Sequence, residues 1–122
     1  DIDMKYLLKT KEGMYLEHIM VKGKHTWAFN PSRLHASLFS QSSAYRLRRR
    51  FPQCVIFKTM TKYVLYTMVN GSRSYVTNYI INNHGYDFEC QAALDSRTKG
   101  LAEDEAKRLA KLFRCLIQEV AA

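Results

Sequence analysis

Four arginines within five positions form the densest group of side chains that could carry chemistry in this sequence. The segment between residues 18 and 86 contains no Asp or Glu, so the sequence offers these arginines no nearby acidic partner. A guanidinium group is planar and permanently charged, and its forked donors match phosphate and carboxylate oxygens. The cluster therefore predicts a site that binds an anionic partner, and a solvated helix face is the alternative interpretation. The four residues are Arg46, Arg48, Arg49 and Arg50.

A second basic group precedes the single tryptophan. Lys22 and Lys24 flank a glycine in a predicted turn, and Trp27 follows shortly after. An aromatic ring beside basic residues can stack on a nucleic-acid base while the cations hold the backbone. We therefore include Lys22, Lys24 and Trp27 in the candidate binding surface, with a core position for Trp27 as the alternative.

The positive charge is concentrated in the first half of the chain. Up to Thr61 there are eleven Lys and Arg against four Asp and Glu, and from Lys62 onward there are eight against seven. A concentrated positive field attracts polyanions at long range. The same net charge also favours solubility, which is the simpler explanation.

Motifs for catalysis and metal binding are lacking. The five glycines are isolated, so no phosphate-binding loop exists, and the His and Cys residues have no zinc-site spacing. No nucleophile elbow is present. The sequence therefore predicts a protein that is not an enzyme and has no catalytic residues, no metal and no cofactor.

The cysteines and the hydropathy pattern predict a cytoplasmic protein. Three widely spaced cysteines fit reduced thiols better than a disulfide framework, and we expect Cys54, Cys90 and Cys115 to be buried or half-buried. No apolar run approaches the roughly 20 residues of a membrane span, so no membrane partner is expected. Met4 has the character of a native start, which predicts that residues 1–3 are additions to the natural chain.

An internal repeat must position these residues. The sequence KYLLKT at Lys5 recurs as KYVLYT at Lys62, and AYRLRRRF at Ala44 recurs as AKRLAKLF at Ala106. Each half reads as strands followed by a helix, and one such unit alone is too small to bury its apolar face well. We therefore predict an α+β fold: an antiparallel sheet with two helices on one face, built from two pseudo-symmetric βββα repeats. The repeats should span about residues 4–57 and 58–122 of a single compact domain, residues 1–122.

In the first repeat, strands are expected at residues 5–10, 14–21 and 25–29. Ser40 is the expected N-cap of a helix that stops at Phe51, because Pro52 disfavours helical geometry in the residue before it. Along this helix Ala44, Leu47 and Phe51 fall on one face. The arginines at 46, 49 and 50 fall on the opposite face, and Arg48 flanks the apolar side.

In the second repeat, strands are expected at residues 54–60, 62–69, 75–81 and 86–90. Asn70-Gly71 is a strong hairpin signal. An apolar stripe predicts a final helix over residues 103–120. Strand alternation places Tyr63 and Tyr66 on opposite faces, and Tyr75 and Tyr79 on the same face.

This order of elements resembles the small sheet-plus-helix modules of bacteriophage and mobile-element proteins. Strand, Gly turn, strand, turn, aromatic strand and Ser-x-x-x-Ala at the helix start carry the resemblance. One branch of that group is similar to the arm-binding domains of phage integrases, which lay a three-stranded sheet on DNA. Another branch consists of small phage proteins of undefined role.

Charge and resemblance together predict an accessory protein, encoded by a phage or mobile element, that binds nucleic acid without sequence specificity. The alternative is a protein–protein inhibitor that blocks a host protein, as anti-defence and host-takeover proteins do. In either case the host cytoplasm is the expected location. The oligomeric state stays open, with a dimer among the alternatives.

Overall fold

The computed structural model describes residues 4–122, which form seven strands of antiparallel sheet and two α-helices. The order of the paired strands is β3-β2-β1-β4-β5-β6, and β7 pairs with β4. The predicted α+β class with an antiparallel sheet is confirmed, while the position of both helices on one face stays a prediction. The expectation for residues 1–3 lies outside the described residues. The elements are β1 (Met4–Thr10), β2 (Tyr15–Val21), β3 (Lys24–Asn30), α1 (Gln41–Arg50), β4 (Cys54–Val69), β5 (Ser72–Asn82), β6 (Gly85–Gln91), α2 (Glu103–Phe113) and β7 (Leu116–Ala121).

The chain divides into two compact units. Unit 1 comprises the described residues up to Thr61 together with Val120–Ala122, and unit 2 comprises Lys62–Glu119. Strand β4 contributes its first half to unit 1 and its second half to unit 2. Within residues 4–122 there is no helix with the length and apolar character needed to cross a membrane.

Unit 1 is built around the β2–β3 hairpin. Its two-residue turn has positive φ at both Lys22 (51°) and Gly23 (77°), the geometry that matches the twist of paired strands. Helix α1 begins after Ser40, whose hydroxyl accepts a hydrogen bond from the Ser43 backbone N–H at 3.3 Å. The predicted N-cap is therefore confirmed. The core that α1 covers contains the buried residues Leu8, Leu16, Ala44 and Cys54.

In unit 2 the core cluster beneath the helix contains seven buried residues, against four in the cluster that α1 covers. Strands β4 and β5 join through the Asn70-Gly71 turn, as the sequence predicts. Helix α2 lays Leu109 and Phe113 against Leu65 of β4 and Val76 of β5, and all four side chains are buried. Each such buried side chain contributes about 1.5–3 kcal/mol relative to an exposed one.

Two predicted element boundaries are wrong. The strands expected at 54–60 and 62–69 are one continuous strand, because residues 54–69 contain no glycine or proline to interrupt it. The final helix ends at Phe113 and not near residue 120. Arg114 has a left-handed conformation (φ 57°, ψ 42°) that ends the helix, and residues 116–121 pair with β4 instead. Spacings of three and four among Leu116, Ile117 and Val120 fitted a helix by chance.

Two side-chain predictions in unit 2 are also wrong. The register of β5 with β6 shifts between Val76 and Asn78, and this extra residue moves Tyr79 to the opposite face from Tyr75. Tyr79 packs in the core beneath α2, while Tyr75 lies against Tyr66. Cys90 is exposed, although Cys54 is buried and Cys115 is half-buried as expected. An exposed position on the edge strand β6 leaves the Cys90 side chain uncovered.

Candidate functional site

Helix α1 presents its four arginines outward because its other face is committed to the core. Ala44 is fully buried, and Leu47 and Phe51 pack half-buried against the same cluster. The apolar face predicted from the sequence is therefore confirmed. The side chains of Arg46, Arg48, Arg49 and Arg50 are all exposed.

The arginines of α1 are held by weak contacts. Arg46 donates a hydrogen bond to the Ser43 hydroxyl at 3.1 Å, and Arg48 donates to the carbonyl oxygen of Cys54 at 3.4 Å. The Arg50 guanidinium lies 5.5 Å from the centre of the Phe51 ring. Within residues 4–122, none of the four arginines forms an ion pair.

The carboxylate of Glu17 in unit 1 is engaged away from α1. Glu17 contacts His35 at 3.2 Å and accepts a hydrogen bond from the Asn30 side-chain amide at 3.3 Å. Its carboxylate therefore serves the region around β2 and β3 rather than α1. The positive charge of α1 remains available to an external anion.

A cleft of about 350 Å³ lies on the flank of α1 that carries Arg46 and Arg50, and we call it the inner cleft. Trp27 of β3 and Phe39 supply rings, Leu47 supplies apolar surface, and the Ser43 hydroxyl adds one polar group. The guanidiniums of Arg46 and Arg50 also line this cleft, and because these residues are one helical turn apart, they follow one another along the same flank. The lining residues are Trp27, Phe39, Ser43, Arg46, Leu47 and Arg50.

The outer cleft lies on the other flank of α1, with a volume of about 310 Å³. Its lining consists of Tyr45, Arg48, Arg49 and Pro52, and the Tyr45 ring is 54% exposed. The structure therefore divides the predicted arginine face into two pairs. Arg46 and Arg50 belong to the inner cleft, whereas Arg48 and Arg49 belong to the outer one.

A row of rings extends from the inner cleft along the β2–β3 hairpin. His18 pairs with Trp27 across the two strands, and their ring centroids lie 4.7 Å apart. The ring of His25 stacks on His18 at 4.8 Å with an interplanar angle of 20°. Cross-strand partners point to the same face of a sheet, so these rings share the face that carries Leu16 and α1.

His18 and His25 were not predicted as site residues. Their signal in the sequence is their spacing from the Lys22-Gly23 turn, four residues before Lys22 for His18 and two residues after Gly23 for His25, which brings both to one face of the hairpin. Phe39 was also missed. It joins the site because the segment before α1 bridges to β1, where the Phe39 and Tyr6 backbones exchange hydrogen bonds of 2.8 and 3.0 Å.

The two predicted lysines lie at the end of this hairpin. Lys22 occupies the turn and Lys24 begins β3, and both side chains are exposed. Lys24 is three positions from Trp27, so the two side chains point to opposite faces and stand roughly 10 Å apart along the strand. The lysines therefore mark the end of the ring row and do not flank the tryptophan itself.

Helix α2 of unit 2 carries acidic side chains in its first turn, whereas helix α1 of unit 1 carries arginines. Lys107 pairs with Glu103 at 2.8 Å, and the Tyr79 hydroxyl donates to Glu105 at 3.0 Å. This hydrogen bond, with burial as the smaller contribution, raises the pKa of Tyr79. Burial and hydrogen bonds to Glu103 and Glu119 likewise raise the pKa of Tyr63.

Metal chemistry finds no support in the described part of the chain, since nowhere in residues 4–122 do three His, Cys, Asp or Glu side chains come together as a metal site. No family model, curated protein or solved structure matches this sequence. The geometry of the exposed arginines, the two clefts and the ring row is therefore what supports a function.

Proposed function

We propose that this protein binds nucleic acid through α1 and the β2–β3 hairpin and catalyses no reaction. The observation that carries this proposal is the α1 surface, where four exposed arginines flank two clefts and form no ion pair with any of residues 4–122. Such a surface releases counterions from a polyanion when its guanidiniums contact phosphates. Binding of this kind is largely independent of sequence, because phosphate contacts position a ligand and carry no base information.

A tandem duplication is the origin that we propose for this surface. We propose that the two units derive from one βββα module, with the first half of β4 and the whole of β7 as the strand after each helix. In support, the residue before each N-cap bridges to a first strand: Phe39 to Tyr6, and Leu101 to Tyr63. An experimental structure with Leu47 and Phe51 in environments unlike those of Leu109 and Phe113 would contradict the duplication.

The resemblance to phage and mobile-element modules supports an origin in such an element, and we propose the host cytoplasm as the place of action. A second candidate function is inhibition of a host protein with an acidic surface. The outer cleft favours it, because Tyr45 beside Arg48 and Arg49 combines the residue types that dominate protein interfaces. The same arginines would then meet carboxylates.

The test of nucleic-acid binding is the salt dependence of affinity in a triple variant, R46A/R49A/R50A. Each lost phosphate contact reduces the slope of log affinity against log salt by about 0.9 on duplex DNA, so we expect a change of about two to three. The fold should persist, because alanine is the better helix former and the three side chains are exposed. Thermal melting checks that persistence.

The matched control is the triple variant K107A/R108A/K111A on α2. It removes the same charge from an exposed helix face, where Glu103 already pairs with Lys107. We expect its salt slope to stay close to that of the unmodified protein. Equal losses in both variants would mean that net charge alone attracts the ligand. Nucleic acid that fails to bind at low salt, together with capture of an acidic host protein, would favour the second candidate function.

A further inference from the structure

The inner cleft combines an indole, a phenylalanine ring and two guanidiniums, a set that fits one chemical class of ligand. We propose that this cleft receives an unpaired nucleobase stacked against Trp27, so that the ligand is single-stranded nucleic acid. This inference rests on the proposed function and specifies which form of nucleic acid the site takes.

The lining of the inner cleft provides for both parts of a nucleotide. Trp27 and Phe39 offer ring surface, and their centroids lie 6.0 Å apart. Arg46 and Arg50 stand on the same cleft and can reach phosphate oxygens on either side of a bound base. The cleft volume of about 350 Å³ falls at the lower end of the roughly 300–1,000 Å³ typical of small-molecule sites.

The half-buried position of Trp27 favours a single strand over a duplex. In a duplex the faces of the bases are covered by their neighbours, so a ring that lies in a cleft cannot stack on them. In a single strand the bases can be splayed out, and every base offers a flat face to an aromatic side chain. A duplex would contact the arginines of α1 through its backbone and leave the inner cleft empty.

The ring row defines a path that a bound single-stranded nucleic acid can follow beyond the first stacked base. From Trp27 the rings of His18 and His25 continue along the hairpin, and both are exposed. Lys22 stands in the turn at the end of this row, where the backbone of a nucleic acid lying along it would need a cation, whereas the Lys24 side chain points to the other face of the hairpin. A bound strand would therefore run from the two arginines of the inner cleft to the β2–β3 turn.

The only tryptophan of the chain provides a direct measurement. Three probes are compared by fluorescence titration and by anisotropy: an oligothymidylate of ~15 nucleotides, its duplex with oligoadenylate, and an abasic strand of the same length and charge. We expect the oligothymidylate to bind most tightly and to quench the tryptophan fluorescence. The duplex and the abasic strand should bind through their phosphates without this quenching.

Variants of Trp27 separate stacking from charge. W27L should weaken oligothymidylate binding about 5- to 150-fold, the range for loss of one base–aromatic stack, and should leave the affinity for the abasic strand nearly unchanged. Far-UV circular dichroism and thermal melting check that the variant is folded. W27F keeps a ring and should restore most of the affinity. The matched control is Y86L, which removes an aromatic residue of unit 2 that is 43% exposed.

The failures of the two proposals are distinguishable. If the unmodified protein binds all three probes equally and its fluorescence does not change, the ligand does not enter the inner cleft, and nucleic-acid binding through phosphates stands alone. If none of the probes binds at low salt, the proposed function is wrong as well. Equal losses on W27L and Y86L would also overturn the stacking role of Trp27.

Discussion

The β2–β3 hairpin of unit 1 and the β5–β6 hairpin of unit 2 have the same frame and opposite surroundings. Both reverse through two-residue turns, and the fourth residue pair from each turn carries two rings: His18 with Trp27 in unit 1, and Tyr79 with Phe88 in unit 2. In unit 2 the rings are closed against Phe113, whose ring centroid lies 5.5 and 5.2 Å from theirs. In unit 1 the His18 ring is exposed, and Trp27 lines the open inner cleft.

The helices explain this difference. Helix α2 brings a buried phenylalanine onto its hairpin and an acidic first turn that accepts the Tyr79 hydroxyl. Helix α1 brings a half-buried phenylalanine and three arginines in its last turn. A frame of the same topology is therefore a closed core in one unit and a cationic surface in the other. A few side chains on each helix determine which of these two results is formed.

The largest expected effect tests this contrast through the two helix phenylalanines. Phe113→Ala should lower the free energy of unfolding by about 3–5 kcal/mol, because Phe113 is only 4% exposed and contacts three rings of unit 2. Phe51→Ala should cost clearly less, because Phe51 is half-buried beside the inner cleft. Thermal and denaturant unfolding measure both.

Equal costs for the two substitutions would break the comparison. It would mean that the inner cleft is closed in solution and that unit 1 is packed as tightly as unit 2. A melting temperature that hardly moves in Phe113→Ala would show that α2 does not cover its sheet as described.

A smaller effect is expected at the helix N-caps, where the two units also differ. Ser40→Ala should cost about 0.5–2 kcal/mol, because its hydroxyl satisfies the Ser43 backbone N–H. The N-cap of α2 is Ala102, which offers no such acceptor, and its backbone is already extended at φ −70° and ψ 158°. Ala102→Ser should therefore stabilise the protein by up to about 1 kcal/mol. Denaturant midpoints check both, and a loss of stability in Ala102→Ser would show that the acidic first turn already satisfies this end.

The smallest expected effect appears at high pH and belongs to unit 2. The pKa of Tyr79 is raised above 10.0 in the folded chain by its hydrogen bond to Glu105, so the folded state holds this proton more tightly than the unfolded state. Below about pH 10 the hydrogen bond of Tyr79 to Glu105 contributes its full stabilisation of the folded state. This contribution is lost as the pH rises through the raised pKa of Tyr79. Tyr79→Phe should therefore lose less stability than the unmodified protein between about pH 9 and 11.

The control for the alkaline experiment is Tyr45→Phe on α1, where the tyrosine ring is 54% exposed. Its stability should fall with pH as steeply as that of the unmodified protein. If Tyr79→Phe is equally steep, the hydrogen bond to Glu105 does not hold the Tyr79 proton in solution.

Local signals in the sequence predicted the frame of the arginine helix. Ser40 and Pro52 marked the start and the end of α1. The spacing of Ala44, Leu47 and Phe51 identified its buried face. These features depend on backbone geometry within a few residues, which is why the sequence alone reveals them. The exposed arginines followed directly from that face.

Features that depend on distant pairing were not predictable in the same way. The segment from Leu116 has the spacing of a helix, but pairing with β4 makes it a strand. A register shift after Val76 reverses the face of Tyr79, and nothing local in β5 indicates it. In the candidate site, the predicted pairing of Trp27 with two lysines was too simple. Phe39 enters the inner cleft through a bridge to β1, more than thirty residues earlier in the chain.

Residues 120–122 belong to unit 1 and not to unit 2, although they follow all of unit 2 in the sequence. Ala121 is buried with Leu7 and Tyr15, and the Ala122 backbone N–H donates to the Met60 carbonyl oxygen at 2.9 Å. Arg33 also donates to the carbonyl oxygen of Ala122 at 3.1 Å. During synthesis on the ribosome, the whole of Lys62–Glu119 therefore emerges before unit 1 has all of its residues. Unit 1 begins first, yet its buried Ala121 is added only after every residue of unit 2, so N-terminal-first folding cannot complete the core of unit 1 ahead of the synthesis of unit 2.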